Sequence, residues 1–181
     1  MKFFTFFLTL IASVTLVCAA GSAPASFDSI KADLVAAQAG AKDFVKVSAS
    51  TTVTANTVAT VAATLKATST AFIDVTAKAS LFQGLFTSVQ IDACLTLLSS
   101  ISASINAGTK NLVQNKSTFK AIDDQNQISD QLAALDGSVS ASVTALAVVF
   151  TANASEKVKA VGESISTDAY NACQAYGGKA C

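Results

Sequence analysis

After residue 26 the larger apolar residues recur at steps of three and four, in about five successive blocks. The clearest block is TVATVAATLKATSTAFIDVTAKASLF, residues 57–82. In it Val58, Val61, Leu65, Thr68, Phe72, Val75, Ala79 and Phe82 form an unbroken 3-4-3-4 ladder, and Lys66, Asp74 and Lys78 fall off it. Threonine and valine favour strands by propensity. The large apolar residues nevertheless occupy odd and even positions alike, so a period-2 reading fails. Periodicity outweighs propensity, which packing routinely overrides. The stretch is expected to be a helix, about 39 Å long at roughly 1.5 Å per residue.

The other blocks read the same way. Ser26 is the expected N-cap of a first helix, striped by Phe27, Ile30, Leu34, Ala37, Ala41, Phe44 and Ser48. A third helix is expected from about Leu85 to Ala107, with Gly84 at the joint before it. Its stripe is Phe86, Val89, Ala93, Leu97, Ile101 and Ile105. NAGTKN, residues 106–111, reads as a turn or a helix interruption, with a shorter amphipathic segment around Leu112–Ile122 after it. DDQNQ, residues 123–127, is a polar joint or a solvated helix face. From Ile128 the stripe resumes through Leu132, Leu135, Val139, Val143, Leu146 and Phe150, with Gly137 a weak point. A last helix starts near Ser155, with Glu156 in its first turn, lined by Val158, Val161, Ile165, Ala169 and Ala172. Such stripes are satisfied only against one another. The expected fold is all-α, an antiparallel bundle of about five amphipathic helices over residues 26–172, followed by a tail at 173–181.

Residues 1–20 do not belong to that fold. Lys2, the apolar run Phe3–Val17 and the small residues of CAA read as a secretory leader, with cleavage expected after Ala20 and Ala19 nearly as good a site. Residues 21–25 are a spacer holding the lone proline, Pro24. No later run is expected to span a membrane, because the richest, Ser142–Phe150, is far short of about 20 residues. AYGGKAC at the end lacks the apolar tail of a glycolipid anchor. The product is expected outside the cell, free or associated with the wall.

Charge narrows the classes further. Twelve basic residues balance twelve acidic ones, which gives no field for nucleic acid or an anionic membrane. Only 13% of residues are charged, about half the usual share, so hydroxyls and amides must wet the exterior. The sequons at Asn115 and Asn153 suit a secreted chain. Of four cysteines, Cys18 leaves with the leader. Cys173 and Cys181 bracket QAYGGKA and can close a small loop, leaving Cys94 as a buried small hydrophobe; pairing of Cys94 with either is the alternative.

Catalytic chemistry is hard to find. The chain has no histidine, which removes Ser-His and Cys-His nucleophiles and the commonest nitrogen ligand of zinc. Three cysteines cannot make an all-thiolate zinc site. Asp123-Asp124 is an adjacent acidic pair in a polar segment, where solvation is the ordinary explanation. YGGK lacks the strand and helix of a phosphate loop. Neither an enzymatic activity, a metal nor a cofactor is expected.

What remains is apolar packing with small residues in it. Eleven phenylalanines, four of them in the leader, and no tryptophan accompany many Ala, Ser and Thr at stripe positions. Small residues either draw helices close or leave space, and apolar space between helices accepts an apolar guest. The lining candidates are Val61, Leu65, Thr68, Phe72, Val75, Phe82, Phe86, Leu97, Ile101, Ile105, Phe119, Leu132, Leu135, Leu146 and Phe150. Thr68, between Leu65 and Phe72 on the ladder, is the first place to look for a gap. An enclosed tunnel would favour carriage of a ligand, and a filled core would favour a surface or structural role.

The segments FDSIKADLVAAQAGAKDFV and STTVTANTVATVAATL, within helices rich in Ala, Ser, Thr and Val, resemble the fungal hydrophobic surface binding protein A family, which includes the cell-wall galactomannoproteins. The resemblance extends from about Phe27 to Cys173. It implies a secreted helical bundle that adsorbs to hydrophobic surfaces. It also implies, as in some relatives, an enclosed fatty acid or recruitment of a secreted polyester-degrading esterase. Three functions are therefore in view. The leading one is a non-enzymatic protein that binds fatty acid or other lipid in the bundle, or coats an apolar surface. The others are a structural wall glycoprotein and a secreted effector docking a host protein.

Overall fold

The computed structural model describes residues 25–123, 125–177 and 181. The expected leader, its expected cleavage point and most of the expected spacer therefore lie outside the described residues, as do Asp124 and Gly178. Among the described residues six helices and no strand are present: α1 (Phe27–Ser48), α2 (Ala55–Leu81), α3 (Ser88–Gln114), α4 (Lys116–Lys120), α5 (Gln127–Val149) and α6 (Ala152–Tyr176). The fold is an all-α bundle of five long helices and one short one.

Local chemistry sets the helix ends. Ser26, Thr54 and Thr87 each accept the backbone N–H three residues on through the side chain and donate their own backbone N–H to the side-chain oxygen there, so three helices open on a complete capping box. The start of α5 is capped differently. Asn126 sits in the left-handed region, and the Asp123 carboxylate accepts from the N–H groups of Gln127 and Ile128 at 2.8 and 3.0 Å. DDQNQ is thus a joint whose buried acid closes the next helix. Gly177, at φ 75°, ends α6.

The stripes of α1 and α2 are buried as the spacing predicts, from Ile30 to Ser48 and from Val58 to Ala79. That of α3 differs. Ile91, Cys94, Leu98, Ile101 and Ile105 are buried, whereas Leu97 is only partly so and Val89 is 77% exposed. The steps of four from Val89 to Ile105 explain the discrepancy. Each advances about 40° past a full turn, so four of them carry the row nearly to the opposite side. Steps of 3-4-3-4 from Ile91 stay on one face.

NAGTKN is neither turn nor interruption, because α3 runs straight through it. Its polar residues bridge helices. Asn106 donates to both oxygens of Asp168 on α6, and Asn111 to Ser48 on α1. The helix expected near Leu85 instead begins at Ser88, leaving 82–87 non-helical, and Leu112–Ile122 divides between the end of α3 and α4. Gly137 lies exposed inside an unbroken α5.

The long helices form a closed ring in the order α1, α2, α5, α6, α3 and back to α1, each packing mainly on two others. The chain alternates up and down. Across the ring, however, only α1/α2 and α5/α6 are antiparallel, as the pairs Asp33–Lys78 and Ser140–Ser166 show. Gln38–Ser100 with Ser48–Asn111 makes α1/α3 parallel, and Ser69–Ser138 with Thr76–Ser142 does so for α2/α5. Ser102–Ser164 with Asn106–Asp168 does the same for α3/α6.

One sequence expectation was too strong. Three helices, α2, α3 and α5, are long and apolar enough to cross a membrane by length and composition, with mean hydropathy of 1.2, 1.3 and 1.7. Ser142–Phe150 is only the end of one of them. Many of their apolar residues face the ring's interior, where five stripes meet.

Candidate functional site

Five helices at a packing distance of 8–10 Å stand about 8 Å from a common axis, against about 6 Å for four. Large side chains must fill that wider centre. Phe44, Leu65, Phe72, Ile101, Leu132 and Leu146 do so with no accessible surface. No void large enough for a water touches any of them. Around these six side chains the core is filled.

The fifteen lining candidates converge on this core. Thirteen are buried there, and Phe82 and Leu97 pack on it part-buried. Phe119, on α4, closes the end where α1, α3 and α5 have Ser48, Leu112 and Ile128. The gap sought at Thr68 is absent. The Thr68 hydroxyl donates to Thr64 O at 2.8 Å, and the backbone of Gly40 lies against it.

The small residues thus draw helices together. A Cβ on Gly108 would overlap the Phe44 ring, and one on Gly162 would overlap Val143. These contacts tighten α1/α3 and α5/α6, and the sequence stripes did not single them out. Hydroxyls complete the seams. Ser69 bonds Ser138 at 3.1 Å and Thr76 bonds Ser142 at 2.9 Å, joining α2 to α5. Outside the seams lie solvent-open grooves, including one of about 550 Å³ on α5/α6 lined by Val143, Ala147, Val148 and Lys159.

The two ends of the ring differ. At the end formed by the starts of α1, α3 and α6 and the finishes of α2 and α5, Phe86 is buried among three aromatic rings. Its centroid lies 5.3 Å from Phe27, 4.8 Å from Phe82 and 5.5 Å from Phe150. Four of the eight exposed large apolar residues among the described residues surround this end, namely Leu81, Leu85, Val89 and Val148, at 50–77% exposure. At the opposite end Cys173 is bonded to Cys181, Cα to Cα 6.0 Å, beside the Asp123 cap. Tyr176 is buried there, its hydroxyl without a partner among the described residues and its pKa raised by burial and by the nearby Asp123 charge.

Cys94 is a free, fully buried thiol, its pKa pushed up to about 12 by burial, against which Lys31 acts weakly. It has no thiolate character at neutral pH. Asn115 and Asn153 are both exposed, one between α3 and α4, the other in the first turn of α6. Among the described residues no group of three His, Cys, Asp or Glu side chains is placed to hold a metal.

The ring has solved counterparts. The structure of AfMP4p in complex with palmitic acid matches with a TM-score of 0.76 at 14% identity, over 83% of this chain and 99% of that one. Ligand binding domain 2 of the Penicillium marneffei MP1 protein, complexed with multiple arachidonic acids, matches at 0.68 with 12% identity, over 88% and 99%. The fold is of the MP1 type. Ligand binding domain 1 of the same protein, complexed with arachidonic acids, agrees at 0.70 and 12% identity, over 81% of this chain and 95% of that domain. No family model and no curated protein matches the sequence, so the relation to the MP1-type domains is one of fold.

Proposed function

We propose that this protein is a secreted, non-enzymatic carrier of fatty acids, and that the ring opens to take an acyl chain along its axis. One observation carries the reading: a five-membered helical ring with an apolar interior, of a fold solved elsewhere in complex with palmitic and arachidonic acids. The filled core by itself counts toward a surface role. Against that, the wide centre is occupied by side chains rather than backbone. An acyl chain is about one side chain wide, and rings and leucines that shift together can give way to it, a minor arrangement that the bound ligand makes dominant. The resemblance to the hydrophobic surface binding protein A family belongs to this proposal, as do release through the leader and glycans at Asn115 and Asn153.

The test is native mass spectrometry of delipidated protein re-exposed to palmitic acid. A mass increase of one or more palmitates, retained under gentle activation, is expected. Unchanged mass across the titration would end the reading.

A second reading is favoured by Leu81, Leu85, Val89 and Val148 at one end. With those residues leading, the protein would adsorb end-on to an apolar surface such as wax, polyester or lipid. Adsorption to hydrophobic beads that persists in the Leu85→Ser/Val89→Ser double variant would remove it.

A further inference from the structure

We infer that the Phe86 end is the entrance of the proposed carrier, with the segment 82–87 acting as a flap that holds its plug. The inference rests on the carrier reading and adds the route by which the ligand, an unbranched fatty acid, reaches the core.

The argument begins with where Phe86 sits. It caps the apolar interior, 3% exposed, yet it belongs to no helix. Its stretch crosses from α2 to α3 through Gly84 at φ 110°, a backbone shape that side-chain-bearing residues rarely adopt. A Cβ on Gly84 would meet nothing within 4 Å, so the bend stands clear of the bundle. Among the described backbone hydrogen bonds, one ties the stretch to a distant element: Phe86 N–H donates to Val149 O at 2.8 Å. Breaking that bond and the ring contacts with Phe27 and Phe150 would free the plug, Phe82 moving with it, without unwinding a helix.

The surroundings suit a hydrocarbon. Leu81, Leu85, Val89 and Val148 make an apolar collar, whereas the stretch itself offers only neutral Gln83 and Thr87 beside its apolar residues. A fatty acid meeting this collar presents its tail inward and leaves its carboxylate in water. Among the described residues the far end offers no comparable route. It is tied by the disulfide, by Asp123 on two N–H groups of α5, and by Phe119 fully buried on α4.

The chain has no tryptophan, so a single reporter can be placed at will. In the full-length Phe86→Trp protein, palmitic acid is expected to make the indole more accessible to acrylamide. In the Val113→Trp protein, whose reporter lies near the far end of α3, quenching should not change. The conservative Phe86→Leu change is expected to raise palmitate association and dissociation rates together, by about tenfold, with Kd moved far less, because a gate alters passage more than occupancy. Leu85→Ser/Val89→Ser, at exposed positions that leave the core intact, should slow association. Palmitate bound by the unaltered protein, with a silent Phe86→Trp reporter and unchanged Phe86→Leu rates, would overturn the entrance and leave the carrier standing. A response at Val113→Trp instead would place the entrance at the other end. No palmitate bound by the unaltered protein would overturn both.

Discussion

The Phe44 ring lies directly over Gly108, so that a Cβ at position 108 would overlap its edge. Phe44 is fully buried, so its ring gives way to a new Cβ only if the core side chains around it shift as well. Gly108→Ala is therefore expected to destabilise the protein by about 1–3 kcal/mol, the range of overpacked cores. Gly137→Ala, in the middle of α5 with nothing within 4 Å, should stabilise by roughly 0.5–1 kcal/mol through helix propensity alone. Urea midpoints of the two variants, displaced in opposite directions, check both.

Asp123 ends one helix problem and begins another. Its two oxygens accept two of the orphan N–H groups of α5. Asp123→Ala should lose about 1–2 kcal/mol, as helix caps do, and Asp123→Asn should recover part of it. Urea unfolding of both variants beside the parent measures the difference.

Cys94 predicts a pH dependence. Its folded pKa of about 12 lies above the ordinary value of 9.0. Native protein thus keeps a proton that the unfolded chain gives up. Stability from this group is complete below pH 9 and falls as pH rises toward 12, by at most about 1.4 kcal/mol per pH unit. Urea midpoints between pH 8 and pH 11 should decline, and less steeply in Cys94→Ala. The native thiol should also resist alkylation at pH 8 and react on unfolding.

Tyr176 shares that alkaline direction for a related reason. Its hydroxyl is buried without a partner among the described residues. Tyr176→Phe removes a polar group that gains nothing inside, so it should stabilise by about 1 kcal/mol and flatten part of the remaining decline. A melting temperature below the parent's would show that the hydroxyl has a partner in solution.

How far the sequence could be read depended on how regular each helix's spacing is. The 3-4 ladders of α1 and α2 were legible almost residue by residue, and Ser26 was legible as a cap. On α3 two rows compete, one from Val89 and one from Ile91, and they share Ile101 and Ile105. Only the drift of the four-residue steps separates them. NAGTKN looked like a turn because its polar residues face partner helices, whose positions a single chain does not disclose. The glycine contacts at Phe44 and Val143 were hidden for the same reason. Phe86 fitted a helical spacing, so its place on a loop escaped notice; Gly84 two residues before it was the available signal. The fifteen lining candidates were drawn from stripe positions, and such positions converge whether a core is full or hollow.

The ring order has a consequence for how the chain assembles. Contacts within the two hairpins are comparatively near in sequence, 45 residues apart for Asp33–Lys78 and 26 for Ser140–Ser166. Side-chain bonds across the three parallel seams join residues 62 to 69 apart. Such closures are late and slow. The seam between α3 and α6 waits for the last long helix to be synthesised, so a partly made chain shows the apolar flanks of α3 and α5 to its surroundings. A neighbouring copy's α6 fits those flanks as well as its own does, and exchange of that helix between copies is the misassembly this topology invites.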